Sequence, residues 1–201
     1  MSPEPLPAVW VVDVDGVLVD ADNNAWQHPV CEACGITPQQ LADFFRADWP
    51  DCVEGRRDTA QALEPWLQRW GSTLDAEGFI AAWHREDAGL NRPLIARLAA
   101  WRVEGARTLL ATNQDHRRAQ YLWTTLNLGE TFDGMIHSAA VGARKPDIAF
   151  WQAVADRIGP HDPNDVVVID DNAENLAGSA PFEWRTHHFT GNKGFFARFS
   201  G

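Results

Sequence analysis

The sequence is poor in cysteine, in basic residues and in long apolar runs, and each shortage excludes a class of protein. The three cysteines among 201 residues, Cys31, Cys34 and Cys52, are too few and too clustered for a disulfide framework. Lysine and arginine together number 17 against 28 aspartates and glutamates, which leaves a net charge of −11. Because nucleic acids and anionic membranes attract basic surfaces, we expect neither as a partner.

No apolar run reaches the roughly 18 residues of a membrane-spanning helix. The N-terminal residues Met-Ser-Pro-Glu-Pro lack the basic flank and apolar core of a signal peptide. Together with so little cysteine, this predicts a cytoplasmic protein. Cys31 and Cys34 form a lone C-x-x-C, and with His28 and Cys52 a zinc site is conceivable, but buried apolar packing is the favoured interpretation.

What the sequence does contain is an apolar stretch that stops at two carboxylates. The β-branched and aromatic residues 9–12 are typical of a strand that is buried on both faces of a parallel sheet. Asp13 and Asp15 follow it. Unpaired aspartate is costly to bury, so two of them at a strand end indicate a metal ion or a reacting group. The alternative is an ordinary strand end followed by an Asp-Gly turn at Gly16.

The middle of the chain predicts a separately packed insertion. The next strong strand candidate is 107–112, which is too far along the chain for a single connection. Capping residues and apolar positions at three- and four-residue spacing predict helices between the two strands. The predicted helices cover 39–49, 59–70, 76–87 and 92–103. We therefore expect a core formed by 1–20 and 91–201, and an inserted four-helix cap formed by 21–90.

After residue 112, helices and strands alternate. This alternation predicts an α/β fold with a Rossmann-like, doubly wound parallel sheet that is covered by helices on both faces. The expected strands are 134–137, 165–170 and 185–189, and the expected helices are 117–126, 148–158 and 173–180. In such sheets, ligands bind beyond the carboxyl ends of the strands, where the strand order reverses.

Polar residues collect at those predicted strand ends. Four carboxylates at one sheet edge repel one another unless a cation lies among them, and that many hard oxygen ligands point to Mg²⁺. Donors and a divalent cation beside a carboxylate are what the oxygens of a phosphate group need. The residues are Asp13 and Asp15, Thr112 and Asn113, Lys145, and Asp170 and Asp171.

Four ordered motifs resemble those of the haloacid dehalogenase superfamily. They are Asp13-Val-Asp-Gly-Val-Leu18, Ala111-Thr-Asn113, Arg144-Lys-Pro-Asp147 and Ile169-Asp-Asp-Asn-Ala-Glu-Asn175. The helical insertion resembles the class I cap of the superfamily. The short-cap sugar-phosphate phosphatases and the N-terminal phosphatase domain of epoxide hydrolases are the relatives that the chain resembles most.

The resemblance implies a role for each motif residue. Asp13 is the expected nucleophile, and Asp15 the expected acid and base. Lys145 offsets negative charge, and Thr112 and the Asn113 amide hold the phosphoryl oxygens. The implied metal ligands are Asp13, the backbone carbonyl of Asp15, Asp170 and Asp171, and the division between the last two stays open.

The expected function is Mg²⁺-dependent hydrolysis of a small phosphorylated metabolite, resembling a sugar phosphate, through an aspartyl-phosphate. Dehalogenases lack an aspartate at the position of Asp15, which favours the phosphatase. The alternatives are a phosphomutase, a haloacid dehalogenase and a non-enzymatic phosphate-sensing or partner-binding protein. Arg56 and Arg57, in the insertion, are candidate substrate contacts. We expect a monomer or homodimer.

Overall fold

The computed structural model describes residues 6–19 and 25–199. Within these ranges, a five-stranded parallel sheet has the order β3-β2-β1-β4-β5. The predicted doubly wound α/β fold is confirmed. The strands are β1 (Val9–Val12), β2 (Arg107–Thr112), β3 (Gly134–His137), β4 (Val166–Asp170) and β5 (Arg185–His188).

The central strand β1 marks the reversal of strand order. Val11 pairs with Leu109 of β2 on one side and with Val168 of β4 on the other. Residues 9–12 are all buried, because helices cover both faces of the sheet. The chain runs outward from β1 to β3 and then crosses back to β4, so the carboxyl end of β1 lies at the switch point where ligands bind in open α/β sheets.

Five helices lie between residue 27 and residue 86. The side chains of Asp58 and Asp75 cap the helices that follow them, and Thr37 forms a capping box with Gln40. Two short helices, α1 and α3, accompany the predicted ones. The helices are α1 (Gln27–Cys34), α2 (Pro38–Ala47), α3 (Trp49–Val53), α4 (Thr59–Trp70) and α5 (Ala76–Glu86).

These five helices, called the helical segment below, pack around their own apolar cluster. Phe44, Leu63 and Phe79 are fully buried there, and the rings of Trp26 and Trp83 stack with their centroids 4.9 Å apart. The three cysteines belong to this cluster. Burial raises the pKa of the Cys52 thiol to about 11, so it behaves as a small apolar residue. The division of the chain into core and cap stays a prediction, and its boundary at residues 20 and 21 lies outside the described residues.

The remaining helices flank the sheet. The predicted helix 117–126 is divided in the structure into α7 (His116–Gln120) and a π-helical turn (Tyr121–Thr125). The others are α6 (Arg92–Val103), α8 (Leu128–Thr131), α9 (Ser138–Val141), α10 (Ile148–Ile158), α11 (Ala173–Gly178) and α12 (Asn192–Arg198). None of the helices in the described part of the chain has both the length and the apolar character needed to cross a bilayer.

Phenylalanines near the C-terminus pack against the central strand of the sheet. Helix α12 packs on the sheet, and the side chains of Phe195 and Phe199 are buried against Trp10 of β1. Trp10 also stacks on Trp101 of α6, with the ring centroids 4.4 Å apart and the planes 9° from parallel. An aromatic cluster therefore fastens the C-terminus to the central strand.

Truncating this cluster tests how much it contributes to stability. We expect Phe195→Ala to lower the free energy of unfolding by about 3–5 kcal/mol, because it empties a fully buried aromatic site. Urea unfolding followed by tryptophan fluorescence measures the change. Lys193→Ala, on the exposed side of the same helix, is the control and should change stability by no more than about 0.5 kcal/mol.

Candidate active site

Residues from three segments meet at the carboxyl end of β1. The backbone N–H of Asp13 donates to Ile169 O at 2.9 Å, which continues the pairing of β1 with β4 by one residue. Asp170 ends β4 beside it. Lys145 approaches from the loop between α9 and α10. The parallel arrangement thus brings together residues that are more than a hundred positions apart in sequence.

Lys145 lies between two carboxylates. Its Nζ is 2.8 Å from Asp13 Oδ1 and 2.6 Å from Asp170 Oδ2, and it also donates to Ala111 O at 2.9 Å. Burial by itself lowers the pKa of Lys145, but the charges of Asp13 and Asp170 outweigh that effect and raise it. The ammonium group therefore stays charged and holds the two carboxylates together.

The surroundings of Asp13 favour a second positive charge beside its carboxylate, in addition to that of Lys145. Burial raises the pKa of Asp13 to about 8, with Lys145 opposing the rise and Asp170 adding to it. One lysine cannot neutralise two buried carboxylates. A cation bound to Asp13 would supply the charge that the site lacks.

The two adjacent aspartates after β4 have different surroundings. Asp170 is buried, and its carboxylate accepts from Lys145, from the Asn175 amide at 3.0 Å and from the backbone N–H of Asn172 at 2.8 Å. Asp171 is exposed, and burial of part of its side chain raises its pKa. Asp170 is thus committed to the protein, whereas Asp171 keeps its oxygens for a ligand.

Carboxylate oxygens of Asp13, Asp170 and Asp171 all lie within 4.8 Å of one another. A hard divalent cation prefers oxygen ligands and needs several of them, so this donor set fits Mg²⁺ or Ca²⁺. Gly16 adjoins the cluster with a positive φ of 80°. A methyl group there would lie 2.2 Å from Asp171 Oδ2, so only glycine lets the chain turn this close to the carboxylate.

Asp15 is held by a residue that the sequence analysis missed. The side-chain Nε2 of Gln114 donates to Asp15 Oδ2 at 2.6 Å, and Gln114 is 3% exposed. A glutamine directly after Asn113 carries no sequence signal of its own. Only the convergence of β1 and β2 places the two side chains in contact.

Thr112 and Asn113 end β2 at the same edge. Thr112 is buried, and the Asn113 side chain bonds the backbone of Lys145 twice, donating to its carbonyl at 3.0 Å and accepting from its N–H at 2.8 Å. The side-chain amide of Asn113 therefore fixes the loop that carries Lys145. The role of both residues in binding a substrate stays a prediction.

Arg56 and Arg57 are paired inside the helical segment. Arg56 Nε donates to Asp51 Oδ1 at 2.8 Å, and its Nη1 bonds Glu54. Arg57 Nη1 donates to Asp48 Oδ1 at 3.2 Å. Both guanidinium groups already have carboxylate partners, and their contact with substrate stays a prediction.

The helical segment meets the sheet through polar contacts. Arg117 of α7 binds Asp58 through two nitrogens, at 2.7 and 3.1 Å, and Glu77 at 2.9 Å. Thr59 Oγ1 donates to the buried Asp115 Oδ1 at 2.9 Å. These residues link α4 and α5 to the start of α7, directly after the strand end that carries Thr112 and Asn113.

The chain is similar in sequence to known hydrolases. A family model described as haloacid dehalogenase-like hydrolase matches residues 8–182. A curated relative, bifunctional epoxide hydrolase 2 of Rattus norvegicus, is 32% identical over 91 residues, which are 43% of this chain but only 16% of that protein. The chain therefore matches only a small part of that relative's length.

Solved structures share the fold. A HAD family enzyme from Bacteroides thetaiotaomicron has a TM-score of 0.81 at 16% identity, with 97% of this chain and 99% of that one covered. The same enzyme has been solved in complex with magnesium and inorganic phosphate. L-2-haloacid dehalogenase from Xanthobacter autotrophicus has a TM-score of 0.62 at 19% identity, covering 96% of this chain and 82% of that one.

The contact between Gly16 and Asp171 can be tested by stability. Gly16→Ala should cost about 1–2 kcal/mol for its positive φ and more for the collision with the carboxylate. Gly142→Ala is the matched control, because Gly142 has φ of 78° and open space where the methyl group would lie. Equal losses of unfolding free energy in urea would show that the approach of Asp171 imposes no constraint.

Proposed function

The chain belongs to the haloacid dehalogenase-like hydrolase family, and from this we propose that it is a Mg²⁺-dependent phosphatase acting on a small phosphorylated metabolite. The observation that carries the proposal is Asp15, two residues after Asp13 and bonded at its carboxylate by a buried amide. Displacement of an alkoxide needs a proton donor, whereas displacement of a halide does not. An acid beside the nucleophile therefore supports phosphate ester hydrolysis over dehalogenation.

The donor set supports Mg²⁺ as the cofactor. Asp13 and Asp171, with the backbone carbonyl of Asp15, would hold the ion, and Asp170 would support them from its bonds with Lys145 and Asn175. The similar Bacteroides enzyme binds magnesium together with inorganic phosphate. When bound, the ion would offset the charge on the phosphoryl oxygens and on the nucleophile.

The first chemical step is an in-line displacement at phosphorus. A carboxylate oxygen of Asp13 forms a bond to phosphorus, and the bond from phosphorus to the ester oxygen breaks. Asp15 transfers its proton to the departing oxygen, which leaves as a neutral alcohol. The products of this step are the alcohol, an aspartyl-phosphate at Asp13 and the Asp15 carboxylate.

The second step returns the protein to its starting state. The Asp15 carboxylate takes a proton from water while the water oxygen attacks phosphorus, and the bond from phosphorus to Asp13 breaks. Inorganic phosphate leaves, Asp13 is again a carboxylate and Asp15 is again protonated. One ester and one water have become one alcohol and one phosphate.

The other residues at the strand ends would stabilise negative charge rather than transfer protons. Lys145 would offset the negative charge that Asp13 and the phosphoryl group share. Thr112 and the backbone N–H of Asn113 would donate to phosphoryl oxygens, since the Asn113 side chain is already committed to Lys145.

The helical segment would act as a cap over this site. We extend the proposal to a core of 1–20 and 91–201 and a cap of 21–90, with the cap choosing among phosphate esters. Arg56 or Arg57 would contribute only by exchanging a carboxylate partner for the substrate. This fits a metabolite that resembles a sugar phosphate.

Replacing the nucleophile tests the mechanism. We expect Asp13→Asn to reduce kcat for p-nitrophenyl phosphate at least about 1,000-fold, because an amide cannot form the aspartyl-phosphate. Asp165→Asn, at the opposite end of the sheet, is the matched control and should retain activity. Hydrolysis by Asp13→Asn at the unmodified rate would eliminate this mechanism, whereas halide release from a 2-haloacid by the unmodified protein would favour the dehalogenase.

Metal removal gives an independent test. Dialysis against a chelator should abolish turnover of p-nitrophenyl phosphate, and added Mg²⁺ should restore it. We expect Asp171→Asn to raise the Mg²⁺ concentration for half-maximal activity by about 10- to 100-fold, with Asp165→Asn unchanged. Full activity in the chelator would contradict the role of the metal. No turnover of any phosphate ester with Mg²⁺ present would favour a phosphate-binding protein instead.

A further inference from the structure

Gln114 is a buried polar residue to which the proposed mechanism gives no role. We infer that Gln114 is a positioning residue that aims the proton-carrying oxygen of Asp15 at the leaving group, and that the helical segment sets its position through Ser138. The inference rests on the proposed phosphatase activity. It adds a residue outside the four motifs and a physical link between the helical segment and the acid.

The contact between Gln114 and Asp15 is short and partly buried. The distance from Nε2 to Oδ2 is 2.6 Å, and Gln114 is 3% exposed. A hydrogen bond to a carboxylate is stronger than one between neutral groups, and the burial of Gln114 limits the competition from solvent. Asp15 follows the end of β1 and lies outside any regular strand or helix. The bond to Gln114 therefore restrains the carboxylate of Asp15.

The bond makes the two oxygens of Asp15 inequivalent. Oδ2 accepts the amide hydrogen of Gln114, and Oδ1 is buried without a hydrogen-bond partner among the described residues. An N–H group can only donate, so the oxygen that it contacts acts as an acceptor. Oδ1 therefore carries the proton that goes to the alcohol in the first step, and Oδ1 receives the proton of water in the second.

Gln114 is itself held by the start of α9. Its backbone carbonyl accepts from Ala139 N at 3.2 Å, and Ser138 Oγ lies 3.2 Å from the same carbonyl. Ser138 is fully buried, and its single hydroxyl hydrogen goes to the nearer acceptor, Val53 O at the end of α3, at 2.6 Å. The start of α9 thus bonds the backbone of the helical segment through Ser138 and the backbone of Gln114 through Ala139.

A second close approach strengthens this bridge. A methyl group on Gly55 would lie 2.2 Å from the carbonyl oxygen of Ala139, so the loop after α3 rests directly on the backbone beside Ser138. Movement of α3 away from α9 would break the bond between Ser138 and Val53. Because Gln114 shares that anchor, Asp15 is aimed only while the helical segment is seated on the sheet.

A buried glutamine could also serve stability alone, and the leaving group separates the two roles. p-Nitrophenolate departs without a proton, whereas an alkoxide needs one from Asp15. A purely structural residue would affect both substrates equally. In the first step, which kcat/KM reports, a positioning residue affects the alkyl phosphate far more.

The decisive variant is Gln114→Met, which keeps the length of the side chain and removes the donor. We expect kcat/KM, which reports the first step and not the hydrolysis of the aspartyl-phosphate that both substrates share, to fall about 10- to 100-fold for an alkyl phosphate and less than about 3-fold for p-nitrophenyl phosphate. Gln152→Met is the matched control, because Gln152 donates to Asp156 at 2.9 Å on the exposed face of α10. It should change neither rate. If Gln114→Met does not fold, Gln114→Asn, which withdraws the amide by one methylene group, should give the same pattern.

Ser138→Ala tests the link to the helical segment and should lower kcat/KM for the alkyl phosphate in the same selective way but by less. Equal losses for both substrates in Gln114→Met, or no loss in either, would overturn the positioning role while the phosphatase activity stands. Unchanged rates in Ser138→Ala would overturn the link alone. If the unmodified protein hydrolyses neither phosphate with Mg²⁺, the proposed function fails and this inference fails with it.

Discussion

The arrangement of the site depends on the ion pairs that the ammonium group of Lys145 forms with two carboxylates. The ammonium group lies within 2.8 Å of one carboxylate at the end of β1 and within 2.6 Å of another at the end of β4, and it also bonds a carbonyl of β2. Two buried carboxylates side by side would otherwise repel each other and lose their hydration. Lys145 offsets that repulsion and links three adjacent strands. The negative charge that it leaves uncompensated favours binding of a metal ion.

Apolar packing stabilises the helical segment and the sheet internally, whereas the contacts between the two include ion pairs and hydrogen bonds. Each packs around apolar clusters of its own, rich in aromatic side chains. Between them lie ion pairs and hydrogen bonds, of which Arg117 with Asp58 and Ser138 with Val53 are examples. A part-exposed ion pair such as that between Arg117 and Asp58 can be exchanged for water at small cost, whereas buried apolar surface cannot. A boundary of this kind is consistent with the proposed role of the segment as a cap.

Some polar residues of the site are bonded to other protein groups, and others keep oxygens available for a ligand. Asn175 and Lys145 saturate Asp170, and Asn113 saturates the backbone of Lys145, so these groups define the shape of the site. Asp13, Asp171 and one oxygen of Asp15 keep capacity for a ligand. The separation explains how so many carboxylates can share one edge of the sheet, because Asp13, Asp15 and Asp170 each have a protein donor that a substrate does not have to displace.

Local patterns in the sequence determined much of the fold. Residues 107–112, 134–137 and 148–158 form the predicted strands and helix at the predicted bounds, because hydrophobic periodicity and capping residues act over a few neighbouring positions. The four motifs likewise identified the family and the residues that meet at the carboxyl end of β1.

Only the tertiary structure decided the features that depend on contacts between distant positions. It divided the helix after Asp115 into an α-helical and a π-helical part, and it packed Phe195 and Phe199 against Trp10. It also placed Gln114 on Asp15, 99 positions away, and Ser138 on Val53, 85 positions away. A glutamine or serine has no signal in its own neighbourhood for such a partner, because its role arises only when strands and helices are brought together.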